Sequence, residues 1–268
     1  MTLRLATWNL WWRFGPWEAR HGAIGRTLAD LDADVVCLQE TWVEPAGIRQ
    51  VDLLGDELGL HAAVADAGVA DRPGVANAIL SRWPVVDVTT VPLPGTGGRP
   101  SPRHAVVAVL DAPVGRLTVV SAHLHHLLSG SATRVAQAAA LAAVVGPRRG
   151  DVERDYPVLV GADLNAVPWS DEVRSLTGAT ALAADGVALT DCWEHAGGDG
   201  RGATWSAANP YLSDSAIPER RIDYLLVSWP RPRPLGNPVR CWLAGLDPVD
   251  GVQPSDHFAV VADLVTEA

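Results

Sequence analysis

Residues 158–165 read Val-Leu-Val-Gly-Ala-Asp-Leu-Asn. Val158 to Val160 is a short aliphatic run of the kind that forms a strand buried on both faces. It breaks off at a carboxylate, Asp163, followed two residues later by the amide of Asn165. The same figure recurs along the chain. Leu3 to Thr7 runs into Trp8-Asn9, Val35 to Leu38 into Gln39-Glu40, and Leu117 to Ser121 into Ala122-His123. Near the C-terminus the order is reversed: Arg221-Ile222-Asp223-Tyr224 opens the run Ile222 to Val227, and Ser255-Asp256-His257 opens Phe258 to Leu264. Ala76 to Leu80 and Ala105 to Leu110 also read as strands. Helical spacing is found in Trp17 to Leu31, Ile48 to Leu58 and Ala132 to Val145. Strands and helices do not alternate strictly, and Ala76 to Ser121 reads as consecutive strands joined by turns. A mixed or antiparallel sheet core covered by helices is therefore expected, rather than a doubly wound parallel sheet.

The composition allows such a core. Of 268 residues, 48% are hydrophobic and 19% charged, which excludes a disordered chain. No repeat or low-complexity tract divides the sequence, and the Pro/Gly-rich stretches 92–102 and 230–238 are short enough to be loops, so one continuous domain over residues 1–268 is expected. The longest apolar stretch, Ala138 to Val145, falls far short of the roughly 20 residues of a bilayer span. The N-terminus shows no apolar signal segment, and Cys37, Cys192 and Cys241 are odd in number and far apart, which suits a reducing cytoplasm. All 21 basic residues are arginine, against 31 acidic ones, for a net charge of −10. That balance disfavours unaided polyanion binding, which rests on clustered positive charge. It leaves room for a site in which carboxylates hold a cation that in turn holds phosphate.

Converging strand ends would gather Asn9, Glu40, His123, Asp163, Asn165, Asp223, Asp256 and His257 into one crevice. Singly, most have ordinary uses: Asn9 as a turn cap, Asp163 in an Asx-turn, Glu40 at the start of a helix. Asp223, flanked by Ile222 and Tyr224, is harder to place, because a carboxylate in a sheet interior must be paired or solvated. The recurrence at six strand ends carries the reading. Two like charges about 5 Å apart repel by roughly 3 kcal/mol even at an effective dielectric near 20, so four carboxylates need a cation or protons. Carboxylate and amide oxygens suit Mg²⁺ or Mn²⁺, with phosphate oxygens completing the shell. Two histidines then supply proton transfer and charge stabilisation. A metal-dependent phosphoesterase is expected.

The ordered set Trp8-Asn9, Leu38-Gln39-Glu40, Ile79-Leu80-Ser81-Arg82, Ala122-His123-Leu124, Gly161-Ala162-Asp163-Leu164-Asn165, Arg221-Ile222-Asp223-Tyr224 and Ser255-Asp256-His257 resembles the endonuclease/exonuclease/phosphatase family, which shares the fold of pancreatic deoxyribonuclease. The resemblance spans residues 3 to about 265. It implies a four-layer α/β/β/α sandwich with two packed mixed β-sheets and a site at one edge. It also implies that Asn9 and Glu40, supported by Asp256, hold the metal, with water attack activated by it. Asp163 and Asn165 would orient that water, His257 on Asp223 would act as base or phosphate-stabilising group, and His123 would stabilise the transition state or protonate the leaving oxygen.

Departures narrow the class. Leu10 and Trp11 follow Asn9 where abasic-site nucleases of the family carry a second acid, and Val160-Gly161-Ala162-Asp163-Leu164-Asn165 departs from the Trp-x-Gly-Asp-x-Asn of inositol-polyphosphate phosphatases. The expected partner is a phosphoester substrate, whether a small molecule, a nucleic acid or a lipid headgroup, and nothing calls for an obligatory protein partner. An endonuclease acting on DNA or RNA is the alternative. A sphingomyelinase-like lipid phosphodiesterase and a zinc hydrolase built on His123, His125 and His126 rank lower. Arg103 and Arg82 are candidate phosphate contacts or plain ion pairs. Trp8, Trp11, Trp12 and Trp17 are packing residues or stacking faces, and the segment Thr204 to Tyr211 shapes a pocket or is structural. Arg134 and Gln137 face the same way on their helix and are expected to fix it against the loop after His123.

Overall fold

The computed structural model describes residues 1–64 and 73–267. One sheet contains β1 (Thr2–Asn9), β2 (Val35–Val43), β3 (His61–Val64), β4 (Gly74–Ser81), β11 (Pro238–Ala244) and β12 (Ala259–Val265), in the order β11-β12-β1-β2-β4-β3. The other contains β5 (Val85–Pro92), β6 (His104–Ala112), β7 (Gly115–His123), β8 (Leu159–Asp163), β9 (Ala188–Asp191) and β10 (Asp223–Trp229), in the order β5-β6-β7-β8-β10-β9. Each sheet has one parallel pair, β1 with β2 and β7 with β8, and is otherwise antiparallel. The mixed-sheet expectation holds.

Helices α1 (Trp17–Leu31) and α2 (Gln50–Leu58) lay Ile24, Leu28, Val51 and Leu54 on the outer face of the first sheet, against Ala6, Trp8, Val36 and Leu80. Helices α3 (Ser131–Val145) and α4 (Asp171–Thr177) cover the second, with Ala138, Leu141, Val145 and Val173 against Val107, Val120, Val160 and Leu226. A short α5 (Cys192–Ala196) lies beside β11. The result is the α/β/β/α layering expected. With its flanking 3₁₀ turns, α3 forms a run, Leu128–Arg148, long and apolar enough by composition to cross a bilayer, a length the sequence reading did not anticipate. Its inner face is packed on the second sheet, and it carries a buried Arg134–Glu172 ion pair at 2.9 Å.

Between the sheets, period-2 alternation sends every second side chain inward, and the character of those side chains changes along each strand. The inward series runs Leu3, Leu5, Thr7, Asn9 in β1 and Val35, Cys37, Gln39 in β2. In β7 it is Leu117, Val119, Ser121, His123, in β8 Leu159, Gly161, Asp163, and in β10, read backwards, Val227, Leu225, Asp223. The sandwich is therefore apolar at one end, hydroxyl- and amide-lined in the middle, and ionisable at the other. In the middle layer Gln39 Nε2 crosses between sheets, donating to Ser121 Oγ at 3.1 Å and Gly161 O at 3.4 Å. Ser121 Oγ returns the link to Leu38 O at 3.0 Å. Gly161 is needed for closeness: a Cβ there would lie 2.5 Å from Cys37 Cβ.

Candidate active site

The ladder hydrogen bonds fix the centre of the site. Parallel pairing places His123 opposite Asp163, and antiparallel pairing places Asp223 opposite Asp163 from the other side. Three adjacent strands thus set a His–Asp–Asp row with Asp163 in the middle. Asn9 reaches it from the facing sheet, donating from Nδ2 to Asp163 Oδ2 at 3.0 Å. The backbone N–H of Asn165 donates to Asp163 Oδ1 at 2.8 Å, closing an Asx-turn. His257, just ahead of β12, lies with Nδ1 2.9 Å from Asp223 Oδ2. The loop leading to it is pinned by Ser255 Oγ, which donates to Asn9 O at 2.6 Å.

Glu40 sits where the β2–β4 register slips between Leu38 and Thr41, with φ 52°, and Asn165 has φ 50°. Non-glycine residues in the left-handed region are uncommon and carry backbone strain, here at one residue of each sheet's contribution to the site. Asn9, Glu40, His123, Asp163, Asn165, Asp256 and His257 all line one cleft of about 1030 Å³. Asp223 does not line it; fully buried behind His257, it acts through that ring. Seven of the eight residues singled out in the sequence therefore face a common space, and the eighth supports one of them.

Burial in this acidic group moves the ionisation equilibria. Asp163 is pushed up to about 7, first by loss of hydration and then by the charge of Asp223. Desolvation likewise raises Asp256 to about 6 and raises Glu40. Burial alone would discharge His257, but Asp223, followed by Asp256, more than offsets it and holds the ring well above its ordinary value, as an imidazolium. His123 goes the other way, held well below its ordinary range by burial and then by Arg103.

Arg103, in the loop before β6, is the residue whose part the sequence understated. Its Nη1 lies 2.6 Å from His123 Nδ1 and its Nη2 3.2 Å from His126 Nδ1. A guanidinium only donates, so His123 Nδ1 accepts and the proton of the neutral ring sits on Nε2, 3.3 Å from Asp163 Oδ2. Arg103 thus places a cation against one ring nitrogen each of His123 and His126, where a histidine-based zinc site would need free lone pairs. Arg82, by contrast, pairs with Asp32 and Asp34 at the surface, 2.7 and 2.8 Å away.

The segment from Thr204 to Tyr211 frames the site. Thr204 Oγ1 accepts from the N–H groups of Ile222 and Asp223, and Asn209 Nδ2 donates to Ser255 O at 2.8 Å. Gln137 Oε1 accepts from His125 N, and Arg134 donates to His125 O and Leu127 O, so α3 is tied to the loop after His123 as expected. The tryptophans divide. Trp8 is core and Trp17 packs edge-on against Trp42, whereas Trp11 and Trp12 line the cleft with Phe14. Asn77 was overlooked: it lines the cleft and donates to His104 O at 2.7 Å, and its signal was an amide inside the run Ala76 to Leu80.

Asp223 Oδ1 and Asp256 Oδ1 are buried carboxylate oxygens with no hydrogen-bond partner among the described residues. Asp163, Asp223 and His257 bring ligand-type atoms within 4.8 Å of one another, and with His257 engaged on Asp223 the donors left for an ion are carboxylate oxygens. Hard oxygen donors in excess, with acceptor capacity unused, fit Mg²⁺ or Mn²⁺.

Several solved structures share the fold. Truncated TDP2 from Caenorhabditis elegans aligns at 21% identity and TM-score 0.77, covering 98% of both chains. TDP2 from D. rerio, complexed with a single-strand DNA product, aligns at 22% and 0.73, covering 98% of this chain and 99% of that one. The mannosyl-6-phosphatase of Bacteroides thetaiotaomicron aligns at 20% and 0.75, with 98% and 99% covered. None of the curated proteins compared matches the sequence. The model of the Endonuclease/Exonuclease/phosphatase family matches residues 6–257, and with the layering and the row of acids and histidines just described, the chain belongs to that family of phosphoester hydrolases.

Proposed function

We propose that the chain is a Mg²⁺- or Mn²⁺-dependent phosphoesterase acting on a small phosphodiester or phosphomonoester. The observation that carries this reading is the convergence on one cleft of the carboxylates of Glu40, Asp163 and Asp256, the last with an unpartnered oxygen, with His123 and with His257, itself held on Asp223. Asn9, Glu40 and Asp256 would hold the ion, which when bound neutralises phosphoryl charge and lowers the pKa of water at the site. Asp163 is suited to take the proton of the attacking water. Both its oxygens are held in place, by Asn9 and His123 on one and by Asn165 on the other, and an affinity for protons near neutrality matches the operating pH. His257, anchored through Nδ1, has Nε2 free to stabilise the phosphoryl oxygens or give a proton to the leaving oxygen. His123, its Nε2–H aimed at Asp163, orients that carboxylate. Three free, buried cysteines support action in a reducing, cytoplasmic setting.

The test is hydrolysis with Mg²⁺ against EDTA across a plasmid, single-stranded oligonucleotides, bis-p-nitrophenyl phosphate, phosphomonoesters and phospholipid headgroups. Activity should require the ion and vanish in Glu40→Ala and His257→Ala. Full activity in both variants would overturn the assignment.

A further inference from the structure

Strand pairing sets the His–Asp–Asp row, but it does not set Asn9, Glu40 and Asp256 against one another. The β1–β2 ladder ends at Asn9 opposite Gln39, one residue short of Glu40, and the β1–β12 ladder ends at Thr7 opposite Val260, short of Asp256. The bridge is the turn at residues 10–14 and one side chain behind it. Leu10 N–H donates to Gln39 O at 2.8 Å, Trp11 N–H to Asn9 Oδ1 at 2.9 Å and Trp12 N–H to Glu40 O at 3.0 Å. The carbonyls of the same three residues accept from Arg20 of α1, at 2.8, 3.0 and 2.9 Å. Arg20 Nη1 also donates to Pro254 O at 2.9 Å, two residues before Asp256, and Nη2 to Phe14 O at 2.9 Å. One guanidinium therefore holds the turn that touches Asn9 and Glu40 together with the segment that leads to Asp256.

A plain chain reversal would not call for this group. Arg20 is fully buried and all its partners are backbone carbonyls, so no carboxylate answers its charge at hydrogen-bond distance. Burying a cation in that way is costly. The turn is strained as well: Trp11 and Trp12 have φ 58° and 36°, where bulky residues are outliers, and such strain persists only where the surroundings over-determine it. Arginine suits the task, because its planar fork directs five N–H groups along fixed lines, whereas a lysine ammonium has three on a flexible stem.

We propose that Arg20 is a positioning residue for the cation site, holding Asn9, Glu40 and Asp256 in their mutual places before an ion arrives, without itself touching ion or substrate. The inference rests on the metal-dependent phosphoesterase reading and names what preorganises its ion site. Without the guanidinium the strained turn relaxes, Trp11 N–H and Trp12 N–H leave Asn9 and Glu40, and the Pro254 segment loses its tie to Leu10. The ion must then order its own ligands as it binds, which weakens its affinity while leaving the row that performs the chemistry in register.

The experiment titrates Mn²⁺ into substrate-free protein, reading the free ion by electron paramagnetic resonance, in the parent, Arg20→Lys and Arg20→Ala, with the folded fraction of each taken from its thermal melt. Both variants should raise the Mn²⁺ Kd by about tenfold to a hundredfold, with the number of sites per folded molecule unchanged. Arg20→Lys keeps the charge and the stem, so it decides the matter if Arg20→Ala does not fold. In hydrolysis of bis-p-nitrophenyl phosphate, Arg20→Lys should need correspondingly more Mn²⁺ for half-maximal rate, and its maximal rate per folded molecule should return to within about threefold of the parent. In Arg20→Ala, millimolar guanidinium should restore the parent Kd where methylammonium does not. An unchanged Kd in Arg20→Lys, or a loss of folded molecules or of maximal rate with Kd unmoved, would overturn the inference and leave the metal-dependent reading standing. A parent that binds no Mn²⁺ would overturn that reading and the inference with it.

Discussion

The two ends of the space between the sheets are made by the same strands and obey the same pleat, yet they do opposite things. At one end Leu3, Leu5, Val35, Leu117, Leu159, Val227 and Leu264 fill the interior with aliphatic carbon. At the other, two or three inward positions further along each strand, Asn9, His123, Asp163 and Asp223 fill it with groups that are costly to bury. The apolar end stabilises the pairing of the sheets, and that pairing forces the polar end together. Stability and chemistry are thus separated along the strand axis, with Thr7, Gln39, Ser121 and Gly161 as the boundary.

This contrast can be broken from either side. The largest effect is expected at the polar end: Asp163→Asn should lower kcat by about a thousandfold. Its metal-free thermal stability at pH 8 should match or exceed that of the parent, because a desolvated charge is removed. A variant that melts well below the parent would show that the row is also a structural keystone. Leu5→Ala, at the apolar end, should cost about 2–5 kcal/mol of unfolding free energy while the molecules that remain folded keep their specific activity. Parallel loss of both would erase the separation. Arg103→Ala should reduce kcat by roughly tenfold to a hundredfold. It should also raise the His123 pKa toward its ordinary value, read by NMR titration, because Arg103 is the second cause of its depression after burial. An unmoved ring would mean that Arg103 is not what sets the tautomer.

The smallest effect concerns pH without metal. Asp163 binds its proton more tightly folded than unfolded, so the stability gained from that proton is lost as pH rises through about 7. Asp256 gives the same sign, fading through about 6, and the raised His257 acts likewise at higher pH. His123, depressed in the folded state, contributes oppositely, but that gain is complete by its ordinary value near 6.5. From about pH 6.5 to 7.5 the metal-free protein should therefore lose up to roughly 1 kcal/mol of stability. Millimolar Mg²⁺ should reverse that loss in a thermal melt. A flat or rising melting temperature in EDTA would contradict the assigned charges.

What the sequence made legible follows the same division. The central strands were readable because both faces of β1, β2, β7, β8 and β10 are buried, so each is a dense aliphatic run ending in a polar group. The edges were not. In β5 (Val85–Pro92) most side chains are exposed, β11 begins at Pro238, and β3 and β9 have four residues each, so none gives a long apolar signal. Helices α4 and α5 are likewise too short for a period to show. Within the site, residues attached to central strands were found in order, whereas Arg103 depends on the β6–β7 register, Ala105 opposite Ala122, to come beside His123. Trp11 and Trp17 are equally aromatic in sequence. Only the left-handed turn around Arg20 sends the first to the cleft and leaves the second packed on Trp42.

The His–Asp–Asp row is positioned by backbone pairing of three neighbouring strands, while the cleft's walls come from separate loops, residues 10–14, 101–104 and 125–126. The spacing of the reacting groups is accordingly indifferent to what those loops contain. A loop can be lengthened or stripped of its rings, and Asp163 still meets the same neighbours so long as Arg103 keeps its place on His123. The molecule is thus a fixed anvil with interchangeable jaws, and altering its substrate calls for rewriting the turn around Arg20 and the approach to β6 rather than any residue of the row.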